Sequence, residues 1–164
     1  MLLVSAMLIG QETEITEVDV YGLGDQTFSI SAGIMLPLFF FGLDSNDFES
    51  GFDHMRVGAS GALRWATFLD NELSVGAELA GMFSSTVLAR TLISIPITGT
   101  IDYALRFYPF EAAFHANLGV NFLRLDSDLY IGPIIKPGAS FYWNYSSEWS
   151  FGLRLEYWFI PEIY

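Results

Sequence analysis

Seven times between Thr27 and Phe159 the sequence alternates apolar residues with small or polar ones, and this pattern constrains the fold more than any other feature. Successive side chains of a β-strand point to opposite faces, so a period of two marks a strand whose faces meet different surroundings. In the first strand Phe28, Ile30, Ala32, Ile34, Leu36 and Leu38 share one face; Thr27, Ser29, Ser31, Gly33 and Met35 share the other. The second, about 55–69, sets Val57, Ala59, Leu63 and Trp65 against Arg56, Gly58, Ser60 and Arg64. The third, about 73–84, sets Leu73, Val75, Ala77, Leu79 and Phe83 against Ser74, Gly76, Glu78, Ala80 and Ser84. The fourth, about 92–108, sets Ile93, Ile95, Ile97, Ile101, Tyr103, Leu105 and Phe107 against Ser94, Thr98, Thr100, Asp102 and Arg106.

The last three strands follow the same rule. Residues 111–123 set Ala112, Phe114, Ala116, Leu118, Val120 and Phe122 against His115, Asn117, Gly119 and Asn121. Residues 130–144 set Ile131, Ile135, Ala139, Phe141 and Trp143 against Gly132, Lys136, Gly138, Ser140 and Tyr142. Residues 148–160 set Trp149, Phe151, Leu153, Leu155, Tyr157 and Phe159 against Ser150, Gly152, Arg154 and Glu156. Pro96, Pro133 and Pro137 fall inside these runs and predict local breaks, because proline cannot donate to a ladder.

Composition decides what such strands build. The chain is 52% hydrophobic and 16% aromatic, yet only 16% of its residues are charged. A soluble surface carries roughly 25–35% charged residues. A spanning helix needs about 20 consecutive apolar residues, and the nearest run, Ala32 to Leu43, is short and contains Pro37. Hydrophobic overall, without such a helix, the chain has the balance of a transmembrane β-barrel. Its formal charge of −12 argues against a nucleic-acid partner, and the lack of cysteine excludes disulfides and thiolate metal sites. Acidic residues collect at Glu12 to Asp25 and Asp44 to Asp53, which read as solvated segments.

Connections sort by length. Those near Asp70-Asn71, Pro109-Phe110 and Tyr145 to Ser147 are tight; those at 41–54, 85–91 and 124–129 are longer and are expected to be extracellular. Residues 1–11 read as the remnant of a secretory signal or as a terminal strand; the signal reading is preferred, although no basic segment precedes the apolar run. Residues 12–25 then form a periplasmic N-terminal segment, and 26–164 the barrel domain.

Alternation alone does not choose the outer face, since a soluble lipocalin-like carrier turns its apolar face inward. The polar face here is Gly, Ser, Thr, Ala and Asn with a few charges, suited to a narrow interior rather than to water. Aromatic residues gather near strand ends: Trp65, Phe68, Phe107, Phe110, Phe141, Trp143 and Trp149 beside the short turns, and Phe39 to Phe41, Phe83, Phe122, Tyr157 and Phe159 towards the long loops. Two such belts are expected at the membrane interfaces.

On this pattern the chain resembles the small bacterial outer-membrane barrels, the eight-stranded group that includes OmpA, OmpX and OmpW, over residues 26–160. The resemblance implies an up-and-down antiparallel barrel, outer-membrane lipids and the barrel-assembly machinery as partners, and no cofactor. Bacterial barrels have an even strand number, so seven visible strands imply an eighth, expected beyond Tyr164, and a seam between the first and seventh until it is supplied.

No catalytic motif stands out. His54 falls in the acidic loop, His115 reads as a hydrogen-bonded interior residue, and no Ser/His/acid set declares itself. The informative constellation is the interior charges Arg56, Arg64, Glu78, Asp102, Arg106, His115, Lys136, Arg154 and Glu156. Buried charges persist only when paired or hydrated. The expected role is therefore a barrel with a structural or surface-exposed function and a filled interior, against a narrow channel for small or hydrophobic solutes, or a soluble carrier. Register sharpens this: a three-residue turn at 70–72 sets Arg64 opposite Glu78, and one at 145–147 sets Lys136 opposite Glu156, each base meeting an acid.

Overall fold

The computed structural model describes residues 22–41, 48–50, 55–87, 90–146 and 149–161. Within them the chain is all β: β1 Gln26–Met35, β2 Phe39–Phe41, β3 Phe48–Ser50, β4 Gly58–Phe68, β5 Leu73–Ser85, β6 Thr91–Phe107, β7 Phe110–Leu125, β8 Asp128–Asn144 and β9 Ser150–Glu156. β2 and β3 pair as a small separate hairpin. The other strands form one antiparallel sheet in the order β1-β4-β5-β6-β7-β8-β9, curled into a half-barrel. These are the seven strands that the alternation predicts.

Turn chemistry sets the register. Between β4 and β5 the amide of Leu69 bonds to the carbonyl of Leu73, which leaves Asp70, Asn71 and Glu72 as the three-residue turn. Asp70 Oδ1 accepts from the amides of Glu72 (2.8 Å) and Leu73 (2.6 Å), closing it as an Asx turn. Arg64 therefore stands opposite Glu78, as expected. The last hairpin differs. Its register pairs Asn144 with Ser150 and Gly138 with Glu156, so the connection spans 145–149 and Lys136 is displaced by one inward step from Glu156. The cause is local: the amides of Tyr145 and Ser146 both bond to the carbonyl of Trp149, so the turn closes between Tyr145 and Trp149, one residue further along at each end than a loop of 145–147 would. The segment 124–129, expected to be a long loop, also differs. Leu125 pairs with Asp128, and Asp126 takes a left-handed φ of 59° that lets Asp126-Ser127 form a two-residue turn.

Two of the three prolines do not interrupt their strand. Ile135 exchanges both backbone bonds with Phe159, at 3.0 and 2.9 Å, so the odd residues of β8 address β9. Pro133 and Pro137 share that parity, and their missing N–H groups fall on the β9 side; the ladder to β7 stays continuous from Phe110↔Trp143 to Leu125↔Asp128. Pro96 does cause a break. It faces β5, and the β5–β6 register passes from Leu79↔Ile97 to Met82↔Ser94 without pairing Ala80 or Gly81.

Burial is inverted relative to a soluble domain. Ile30 is 74% exposed and Leu153 79%, whereas Lys136 is 0% and Glu78 1% exposed. Along the seven-stranded sheet the apolar face points out of the curl and the polar face into it. Among the described residues β1 and β9 do not pair with each other; they border a common cleft of about 2850 Å³. With seven antiparallel strands the two free edges run in the same direction. Residues 1–21, where a signal remnant and periplasmic segment were expected, lie outside the described residues, as do 42–47, 51–54 and 162–164.

Candidate functional site: the polar lining of the half-barrel

Register arranges the inward residues in rows across the sheet. One row runs Ser74–Asp102–His115–Gly138–Glu156, and the next runs Gly76–Thr100–Asn117–Lys136. Glycine on an inward position removes a side chain from the row, so a longer neighbour can cross that strand. Gly138 shows the need directly: a Cβ there would lie 2.3 Å from His115 Nε2. With none present, the imidazole on β7 reaches over β8 and brings Nε2 to 3.3 Å from Glu156 Oε1 on β9. Arg64 likewise crosses β5 to meet Asp102 and Thr100 on β6, where the intervening inward position is Gly76.

The central cluster joins β5, β7, β8 and β9. Glu78 takes Lys136 on Oε1 and the Arg154 Nη2 on Oε2, the latter at 2.6 Å. The same Arg154 Nη2 lies 2.7 Å from Glu156 Oε1, and Lys136 Nζ lies 3.9 Å from Glu156 Oε2. Two carboxylates and two cations thus alternate around a ring, and the side chains of Lys136 and Glu78 are wholly buried. Asn117 Nδ2 donates to Glu156 Oε1 at 3.0 Å, and Trp158 Nε1 donates to Glu156 Oε2 at 3.3 Å. The Trp158 ring also covers Lys136 Nζ at 4.9 Å, a cation–π contact. Arg64 with Asp102 adjoins this ring. Equal numbers of opposite charges, hydrogen-bonded on several sides, are what allow them to stay buried.

A second cluster lies at the short-turn end. Arg106 Nε donates to Glu111 Oε2 at 3.0 Å, its Nη1 donates to Asn71, and its guanidinium sits 5.2 Å above the Phe68 ring. Arg56 belongs to neither cluster, which corrects the expectation that it lines the interior. It precedes β4 and is exposed. There its amide donates to the Ser85 carbonyl (2.8 Å) and its own carbonyl accepts from Ser84 Oγ (2.7 Å), so the backbone pins it at the rim. His54 lies outside the described residues.

The sequence reading named most of the interior charges but missed Glu111 and the neutral partners Asn117 and Thr100. Asn117, Thr100 and Glu111 all stand on inward positions of strands that the alternation had already placed. Trp158 continues the parity of Arg154 and Glu156, and that parity was the available signal. Thr98 Oγ1, Asn117 Oδ1 and Asn121 Nδ2 are buried without a protein partner, on three inward positions flanking Gly119. Nor is the interior polar throughout. Met55, Met82 and Leu92 are buried together towards the 85–91 end, with Met35, Leu123, Leu125 and Trp158 packed on them. Among the described residues no group of His, Asp and Glu is placed to hold a metal ion.

One protein-family model matches residues 10–164. The chain belongs to that family. It is similar to an uncharacterized protein of Borreliella burgdorferi, 23% identical over 85% of this chain and 74% of the relative. It is also similar to an uncharacterized protein of Treponema pallidum, 22% identical over 87% of this chain; there it spans only 55% of the relative. No solved structure matches it significantly.

Proposed function

We propose that this protein is a bacterial outer-membrane β-barrel with a structural or surface-exposed role, its interior filled by the polar and charged lining. One observation carries the reading: an exposed apolar face on every strand of the sheet encloses buried Lys, Glu, Arg, His and Asn side chains. Water outside would leave the apolar face unsatisfied, whereas lipid suits it, and a soluble carrier would need the reverse arrangement. The aromatic group Phe107, Phe110 and Phe141, with ring centroids 5.6–6.5 Å apart, and the Trp143–Tyr145 pair fit an interfacial belt at the short-turn end. The test is insertion. Urea-denatured protein diluted into lipid vesicles should co-float with them, gain β-structure and migrate differently on electrophoresis before and after boiling. Folding in lipid-free buffer to a monodisperse species would defeat the proposal.

A second reading, a narrow passage for hydrophobic solutes, is favoured by the Met55–Met82–Leu92 layer and by the cleft between β1 and β9. Uptake of a hydrophobic dye into vesicles carrying the protein separates it from the first reading.

A further inference from the structure

We infer that the interior contains a binding chamber for an uncharged single-chain amphiphile, an aliphatic alcohol or ester, between the charge ring and the apolar Met55–Met82–Leu92 layer. Register defines its level. One rung from Arg64 and Glu78 towards the long-loop end, the inward positions are Ser31, Ala62 and Ala80 on β1, β4 and β5. The same level on β6, β7 and β8 carries Pro96, Asn121 and Gly132. Apart from Asn121 these side chains are too short to reach the middle of the curl. On the short-turn side Glu78, Lys136, Arg154 and Glu156 close the interior. On the other side the next rungs bring Met82 and Leu123 to either side of Ser94, and then pair Leu92 with Leu125.

Two observations point to a ligand. First, Met35, Leu123, Leu125 and Trp158 face inward, pack against the buried apolar layer and line the cleft, yet remain only half-buried. Trp158 joins the two boundaries of the chamber: its Nε1 donates to Glu156 Oε2 at 3.3 Å, and its indole packs against the apolar layer. The unbranched, polarisable methionines let that layer adapt to an alkyl chain. Second, Asn121 is 1% exposed and lines the same cleft. Its Oδ1 accepts from Ser94 Oγ at 2.6 Å, while its Nδ2 is buried without a protein partner. A buried donor left unmet is costly, and a hydroxyl or carbonyl oxygen on the ligand satisfies it. Of Thr98, Asn117 and Asn121, the three buried side chains beside Gly119 with an unmet polar atom, Asn121 alone lines the cleft.

The ring dictates a headgroup without charge. Glu78, Glu156 and Asp102 are already matched by Lys136, Arg154 and Arg64, so a carboxylate or an ammonium would enter without a counter-ion. The cleft to which the chamber belongs, about 2850 Å³ in all, exceeds the roughly 300–1,000 Å³ of ligand pockets, so an alkyl chain has room. Because the ring closes the chamber towards the short turns, the site holds its ligand and does not pass it on. The inference thus goes beyond both readings above. It depends on register and inward burial, not on what meets the outer face.

The test uses the full chain folded in dioleoylphosphatidylcholine vesicles and a dodecanol carrying a photoactivatable diazirine in its chain. The expected result is saturable labelling, with adducts mapped by peptide mass spectrometry to Met82, Leu123 or Trp158. Plain dodecanol and methyl undecanoate should compete, whereas dodecanoate and dodecyltrimethylammonium should need about 10-fold more or beyond, the ratio that 1.4 kcal/mol gives. Asn121→Leu should weaken competition by dodecanol about 5-fold, the loss of one hydrogen bond, and leave competition by dodecane unchanged. A merely loosened fold would not split the two. Ala62→Phe, which fills the short-side-chain level, should abolish the interior adducts, and Leu63→Phe on the outward face should label like the parent. Adducts confined to outward residues such as Leu63 and Ile97, labelling that never saturates, or equal competition by dodecanoate overturns the inference. The adduct map of the parent decides the matter even where a variant fails to fold. Flotation of the unlabelled parent with vesicles reports separately on the membrane reading.

Discussion

Arg64 and Glu78 stand directly opposite each other across the β4–β5 ladder, and each makes its ion pairs elsewhere. Arg64 pairs with Asp102 on β6, whereas Glu78 is shared by Lys136 on β8 and Arg154 on β9. Opposition in register therefore sets where the charges start, and the curl of the sheet decides where they end. By tying β5 to β8 and β9 across the interior, Glu78 holds the sheet's far edge inward; a simple cross-strand pair contributes only about 0.2–1 kcal/mol.

Double-mutant cycles separate these roles. Glu78→Ala leaves Lys136 buried without its nearest carboxylate and should destabilise the folded protein by roughly 3–5 kcal/mol. Adding Lys136→Ala should recover part of that loss. Adding Arg64→Ala should give a nearly additive effect, because Arg64 keeps Asp102. Urea titration in vesicles measures all three, and a coupling between Arg64 and Glu78 as large as that between Lys136 and Glu78 would contradict the assignment.

Gly138→Ala probes the crossing of β8 by His115. The new Cβ would meet His115 Nε2 at 2.3 Å and the Leu155 carbonyl oxygen at 2.4 Å, so both the imidazole and the β9 backbone must move. The expected cost is about 1–3 kcal/mol. Removing the ring with His115→Ala should relieve only the first clash. Amide exchange along β9 should accelerate in Gly138→Ala and stay faster than in the parent in the double variant.

The Asp70 carboxyl is held below its usual value by the backbone N–H groups of Leu73 and Glu72, which bond to its ionised form. For a depressed carboxyl the stabilising contribution is present above the unfolded pKa, about 3.9, and is lost as pH falls through the lower folded value. The β4–β5 turn should therefore stay closed at pH 4 and loosen below it. The amide shift of Leu73, followed by NMR, should titrate with a midpoint under 3.8, the ordinary value for the group. Asp70→Asn should abolish that titration; a midpoint above the ordinary value would refute the turn's role.

Strands and faces were legible in the sequence because a period of two is a local property that each strand displays alone. Thus Phe114 and His115 separate to opposite faces of β7 without reference to any other strand. Register was legible only where the turn chemistry was local: Asp70 supplies its own acceptor, but the last turn depends on Trp149 offering its carbonyl to two amides. Pairing was least legible. Which cation reaches Glu78 depends on the curl, and that depends on packing across strands far apart in sequence. Arg56 has the parity of an interior residue and is still exposed at the rim, because the Met55↔Thr86 bridge and the Arg56–Ser85 backbone bond are offset by one residue from the β4–β5 ladder.

The four tryptophans test the membrane reading from a single geometric fact. Trp65, Trp143 and Trp149 are exposed on the apolar face at 46%, 47% and 65%, whereas Trp158 points inward over Lys136. If the apolar face meets lipid, variants retaining one tryptophan each should divide. Fluorescence from Trp65, Trp143 and Trp149 should be quenched by lipids brominated on their acyl chains, most strongly when the bromine lies near the headgroup for the two beside the 145–149 turn. Trp158 should be quenched weakly at every bromine depth, and its emission should shift when Lys136→Met removes the cation beneath it. Equal quenching of Trp158 and Trp65 would mean that the inward face also meets lipid, and the filled half-barrel would then be the wrong description of the folded state.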